Sequence, residues 1–392
     1  MRVLAINAGS SSLKFQMYEM PEEKVIISGV FEKIGIGNSL YTIKTNGEKI
    51  KKEVELKDHD EAVSVLIQEL FENNVVKSLD EISGIGHRVV HGGNKYTSSV
   101  IITDEVIKDI EDLSSLAPLH NPAHIMGMRA CIKLIPSAVQ VAIFDTAFHQ
   151  TMSEEAYMYA VPYEWYTNYN VRKYGFHGTS HKYLANRMSE ILGSKDIKII
   201  TCHLGNGGSI SAIKNGKCVD TSMGFTPNAG IMMGTRSGDV DVTIIPYIME
   251  KTNESLTKVL DDLNKKSGYL GISGVSSDSR DIENGIASGD ERCILAQNMF
   301  IRRVVEYVSK YYVILGGVDA ICFAGGIGEN SPSTRKYIID SLSILGIKLD
   351  DELNNVRGEE RIITTEDSKV PCYIVPTDEE VMIARDTVSF IE

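Results

Sequence analysis

A domain-sized duplication constrains this chain more than any other feature. Val3 to Phe15, VLAINAGSSSLKF, is an apolar run that ends at Asn7, turns through Gly9, Ser10, Ser11 and Ser12, and resumes at Leu13. That pattern predicts strand, tight turn, strand. Ile197 to Gly216, IKIITCHLGNGGSISAIKNG, repeats it, with a Gly-rich turn at Gly205 to Ser209 and another at Asn215-Gly216. A helix-like segment follows each unit, then an apolar strand ending in paired glycines: ISGIGHRVVHGG up to Gly93 and VDAICFAGGIG up to Gly328. Each half closes with a strand that ends in aspartate, VAIFD at Asp145 and CYIVPTD at Asp378. A repeat of this length is a duplicated domain, not a solenoid period. It predicts two α/β domains, 1–150 and 151–392, facing across a cleft, with the last helix free to pack back on the first.

The two turns suggest chemistry. Glycine lets the backbone approach a ligand, hydroxyls and N–H groups suit phosphate oxygens, and Lys14 adds positive charge. A solvated serine hairpin would look the same in isolation; the recurrence favours the ligand reading. Arg88, in HRVVHGG, and Arg236, in MGTRSGD, also sit beside glycines. One such arginine is ordinarily a solvated charge. Two in matching contexts suggest a pair closing on a small anion, since guanidinium groups grip carboxylate and phosphate bidentately.

With 392 residues, 43% hydrophobic and 24% charged, the chain is long enough for two substantial cores. A formal net charge of -13 argues against nucleic-acid or anionic-membrane partners, while a local basic pocket could still take a nucleotide. The six cysteines are scattered without a C-x-x-C and read as reduced core residues of a cytoplasmic protein. No signal peptide is expected, because the apolar run after Met1-Arg2 breaks at Asn7. Three H-x-x-x-H pairs (His87/His91, His120/His124, His177/His181) lack the glutamate of a zinc hydrolase. P-loop, G-x-G-x-x-G and G-x-S-x-G patterns are also missing, so a bound nucleotide needs another glycine-turn architecture.

Further strands are expected near Val25–Val30 and Tyr41–Thr45, and a helix over Asp60–Leu70. Asn121-Pro122 reads as N-cap and first helical turn, and Thr179-Ser180 as the cap of HKYLANRMSEIL. A long helix spans Asp290–Leu315, and EEVMIARDTVSFIE reads as a last helix.

Taken together, NAGSSSLKF, HRVVHGG, PLHNP, FDTAFH, GFHGTSH, HLGNGGS, MGTRSGD, AGGIGEN and TDEE resemble the acetate kinase family, in family order and over essentially the whole chain. The resemblance implies duplicated ribonuclease-H-like domains of the actin-like ATPase group. It also implies a homodimer and reversible transfer of the ATP γ-phosphoryl group to acetate, with Mg2+ or Mn2+. By the same resemblance Asn7 and Glu379 would hold the metal, and Ser10, Ser12 and Lys14 would line the phosphate path. His203, Leu204, Gly205, Asn206 and Gly207 would contact nucleotide phosphates. Asp278, Ser279 and Arg280, with Gly326, Ile327, Gly328, Glu329 and Asn330, would surround the adenosine; at Ser279 relatives often carry a bulkier apolar residue. Val90, Leu119, Phe176 and Pro227 would form the pocket for the substrate methyl. Arg88, Asp145, His177 and Arg236 would be catalytic, with Asp145 either an acid/base or a residue that orients Arg88 or metal-bound water. Competing readings are a propionate or butyrate kinase and, from another class, a nucleotide-driven switch protein of the same fold group.

Overall fold

The computed structural model describes residues 1–117 and 120–391. The chain divides into two compact units: Met1–Phe148 with the residues from Asp378 on, and His149–Thr377. The terminal helix Glu379–Val388 thus belongs to the unit that begins the chain.

The first unit is built on an eight-stranded sheet, ordered β5-β4-β3-β2-β1-β6-β8-β7. Its strands are β1 (Arg2–Gly9), β2 (Ser12–Glu19), β3 (Lys24–Glu32), β4 (Leu40–Thr45), β5 (Glu48–Glu53), β6 (Ile82–Val89), β7 (Val100–Ile101) and β8 (Val139–Phe144). β1 to β5 form an antiparallel meander, and β6 and β8 add in parallel to β1. Val3 to Ile6 are all buried because both faces of β1 are covered. Leu4 and Ile6 join the core that includes Ala130 and Cys131 of the helix Asn121–Leu134. On the opposite face the terminal helix packs against β1 and β6. Its approach depends on glycine: a Cβ at Gly86 would lie 2.3 Å from Thr387 Oγ1 and 2.5 Å from Ile383 Cγ2.

The second unit repeats the topology in six strands, ordered β11-β10-β9-β12-β14-β13. These are β9 (Lys198–Leu204), β10 (Gly208–Lys214), β11 (Lys217–Thr221), β12 (Ala320–Ala324), β13 (Arg361–Ile362) and β14 (Cys372–Ile374). β9 pairs antiparallel with β10 and parallel with β12, as β1 does with β2 and β6. The helix Glu291–Leu315, capped by Asp290, buries Phe300, Val304, Val308 and Tyr311 in this unit's core.

Two local expectations are corrected, and one strand is an addition that the sequence pattern did not announce. β5, EKIKKE, has no apolar alternation and forms as an edge strand by pairing with β4. Asn121 is the first residue of its helix, not the cap, and its Nδ2 donates to the His91 and Ile110 carbonyls. The helix Gly178–Leu192 is capped not by Thr179-Ser180 but by His177, in the left-handed region at φ 56°. All six cysteines are buried and free. Among the described residues no helix is long and apolar enough to cross a membrane.

Candidate active site

In the first unit the parallel pairing of β6 and β8 sets Arg88 opposite Ile143, and the Asp145 N–H donates to the Val89 carbonyl. Two strand ends therefore carry Arg88 and Asp145 side by side. Arg88 Nε donates to both Asp145 oxygens at 3.1 Å and Nη2 donates to Oδ2 at 2.7 Å. Its Nη1 reaches Asn7 Oδ1 at 3.4 Å, a weak contact. Burial alone would lower the Arg88 guanidinium; the carboxylates of Asp145 and Glu379 outweigh it and shift the group upward. Glu379 starts the terminal helix behind its cap, Asp378. Burial, together with Asp145 and Glu380, pushes the Glu379 carboxyl up to about 7 against the pull of Arg88 and Lys14.

That local excess of carboxylate, with the Asn7 amide oxygen beside Arg88, suits a small hard cation that keeps several waters. Among the described residues no group of three histidine, cysteine, aspartate or glutamate side chains could chelate an ion outright. On the β1–β2 turn Ser10 is exposed and Ser12 half-buried, and His59 Nε2–H donates to the Gly9 carbonyl at 2.8 Å. Lys14 projects from β2, across from Asn7, and pairs with Glu380.

In the second unit the Gly-rich turn after β9 gathers the other candidates. A Cβ at Gly207 would lie 3.4 Å from Arg236 Nη1 and 3.7 Å from His177 Nε2. His177 Nδ1 bonds Ser209 Oγ at 2.9 Å; the same hydroxyl bonds His181 Nε2 at 2.7 Å, and His181 Nδ1 bonds Thr201 Oγ1 at 2.7 Å. Burial holds His181 well below the usual histidine range, so this chain of hydrogen bonds is neutral at His181. The His203 ring lies 4.4 Å from that of His177, and its Nδ1 bonds Ser180 Oγ at 2.8 Å. Arg236 differs from Arg88. Its Nη1 donates to the Pro227 carbonyl at 3.2 Å, burial lowers it, and among the described residues no carboxylate lies within ion-pairing distance.

A cavity of about 690 Å³ opens from this turn. Gly205, Asn206, Asp278, Ser279, Arg280, Gly326, Ile327 and Asn330 line it, as does a second group that sequence motifs did not point to: Ser277, Glu283, Ser331 and Arg357. Gly234 is required beside it, since a Cβ there would lie 1.8 Å from Asn206 Oδ1. Leu204 and Gly328 are buried, and Glu329 Oε1 accepts from the Gly325 and Thr377 N–H groups at 2.8 and 3.1 Å. Phe176 is buried with its carbonyl accepting from His149 Nε2, and Pro227 is half-buried; both are in the second unit, while buried Val90 is in the first. Leu119 lies outside the described residues.

The model of the Acetokinase family matches residues 2–385. Acetate kinases of Bacillus subtilis and Bacillus cytotoxicus are each 55% identical over 389 residues, covering 99% of this chain and 98% of the relative. Among solved structures, Porphyromonas gingivalis acetate kinase superposes with a TM-score of 0.95 at 46% identity, covering 100% of both chains. A propionate kinase from Francisella tularensis does so at 0.94 and 42%, covering 99% of each. With the pattern matched almost from end to end and the two-sheet fold matched over its full length, this chain belongs to the acetokinase family.

Proposed function

We propose that this chain transfers the γ-phosphoryl group of ATP to acetate, giving acetyl phosphate and ADP, and runs the reverse reaction. The observation that carries the reading is Arg236: a half-buried guanidinium without a carboxylate partner among the described residues, beside His177 and the glycine turn from which a nucleotide-sized cavity opens. An acetate oxygen attacks the γ-phosphorus as the bond to the β–γ bridging oxygen breaks, and ADP leaves with that electron pair. The attacking carboxylate is already ionised, so no general base is needed; repulsion between anions is the barrier, and positioning with positive charge lowers it.

Arg88 holds the acetate carboxylate, and Asp145 orients Arg88 through its bidentate grip. Arg236 and His177 stabilise the phosphoryl oxygens in flight. Asn7 and Glu379 would hold Mg2+, which when bound neutralises phosphate charge. By the family resemblance Val90, Leu119, Phe176 and Pro227 would be the residues that select for the methyl group. The exposed apolar side chains of Val240, Val242, Ile244 and Tyr247 support pairing with a second copy of the chain.

The likeness to a propionate kinase favours a second reading with the same mechanism and a longer acid. One methylene is worth only ~1–3 kcal/mol of discrimination. Mixing the protein with MgATP and acetate, propionate or butyrate, then trapping acyl phosphate with hydroxylamine, separates the two. Hydroxamate with acetate favoured in kcat/KM is the expected result. Preference for a longer acid would transfer the mechanism to that substrate, and no hydroxamate from any acid would overturn both.

A further inference from the structure

The cavity has two chemically unlike ends. At one lie Gly205, Asn206 and Gly326; a Cβ on Gly205 would sit 3.8 Å from the Gly326 nitrogen. From there the short helix Gly325–Asn330 carries the wall about 8 Å to Asn330 and Ser331. At that far end Glu283 enters from the helix Ser279–Ala287. Its Oε1 accepts from the Ser331 and Ser333 hydroxyls, the latter at 2.9 Å, while Oε2 accepts no hydrogen bond from any described residue. No lysine or arginine among the described residues ion-pairs with it. The cations nearby are engaged: Arg280 pairs with Asp278, and Arg357 Nη1 donates to the Asn330 carbonyl at 2.6 Å.

A bare carboxylate repels phosphate, so a nucleotide in this cavity runs its phosphates toward the glycine end and its neutral base toward Glu283. The lining contains no aromatic ring, and Ile327 is its one apolar side chain among the described residues, so stacking has little to work with there. A free carboxylate oxygen, by contrast, seeks an N–H donor. We propose that Glu283 is a specificity-determining residue that accepts a hydrogen bond from the 6-amino group of adenine. This rests on the nucleotide reading above and adds how the base is chosen.

Calorimetric titration with ADP and with purine riboside 5′-diphosphate, which lacks only the 6-amino group, tests it without requiring catalysis. A hydrogen bond to a charged group predicts that the native protein binds ADP about ten- to a hundredfold more tightly. Glu283→Ala should bring the ratio close to one by weakening ADP, and Glu283→Gln, which keeps an acceptor oxygen and the serine contacts, should retain part of it. A native ratio near one overturns the proposal without any variant. So does a Glu283→Ala protein that weakens both ligands equally, the mark of a residue that only braces Ser331. Hydroxamate formation with no base preference removes this inference alone; base preference without hydroxamate removes the proposed acceptor alone; binding of neither diphosphate removes both.

Discussion

Arg88 and Arg236 have similar glycine-rich neighbourhoods in sequence and opposite electrostatic situations in the folded chain. Arg88 is locked to Asp145, whereas among the described residues Arg236 is held by a carbonyl and a sulfur. Substituting them should therefore fail in different ways. Arg236→Ala should lower kcat about a hundredfold or more with nucleotide affinity little changed; steady-state rates beside calorimetry check this, and an unchanged kcat would remove Arg236 from the transition state. Asp145→Asn keeps the shape but not the charge, and should raise the acetate KM about tenfold through loss of a charge-assisted grip. A variant with native KM and kcat would show that Arg88 needs no orienting partner. Both arginines were legible because glycine marks close backbone approach. Glu283 and Arg357 were not: they sit in charge-rich segments, DIENG and NNVRGEER, where nothing local separates a lining residue from a solvated one.

At the scale of elements, glycine on β6 decides where Glu379, the proposed metal-side carboxylate, stands. Gly86→Ala places a methyl against Thr387 and Ile383 and should destabilise the fold by about 1–3 kcal/mol, as overpacked cores do. Displacing the terminal helix also moves Glu379, so the Mg2+ concentration for half-maximal rate should rise. Urea unfolding and a Mg2+ titration read the two effects, and a fully native variant would mean the helix shifts freely. Most elements were legible because their apolar period was clear, as in β1 and the helix His59–Glu72. Those that were missed depend on tertiary partners. β5 exists because β4 offers it an edge, and His177 replaces Thr179-Ser180 as cap because the backbone turns left-handed two residues before Thr179.

For the whole molecule, buried neutral histidines make stability depend on pH. Burial holds His87 and His91 at about 4 and His124 at about 3, well under the unfolded value near 6.5. A depressed histidine binds its proton more readily in the unfolded chain, so its contribution is complete above about 6.5 and is lost as pH falls toward 4. Each should cost roughly 1–2 kcal/mol by pH 5. Tm measured from pH 7.5 to 4.5 should fall most steeply in that window, and a flat profile would refute the burial argument. The duplication itself was readable from the recurring turns. The return of the terminal helix to the first unit was readable only as a possibility, because chain order says nothing about which sheet a last helix covers. That return bears on synthesis. The second unit is one unbroken stretch, His149–Thr377, whereas the first waits for the residues from Asp378 on. On the ribosome the half with the proposed nucleotide cavity can finish folding while its elder neighbour is still missing a helix and Glu379. A chain cut short within the last fifteen residues would therefore be defective in the domain translated first.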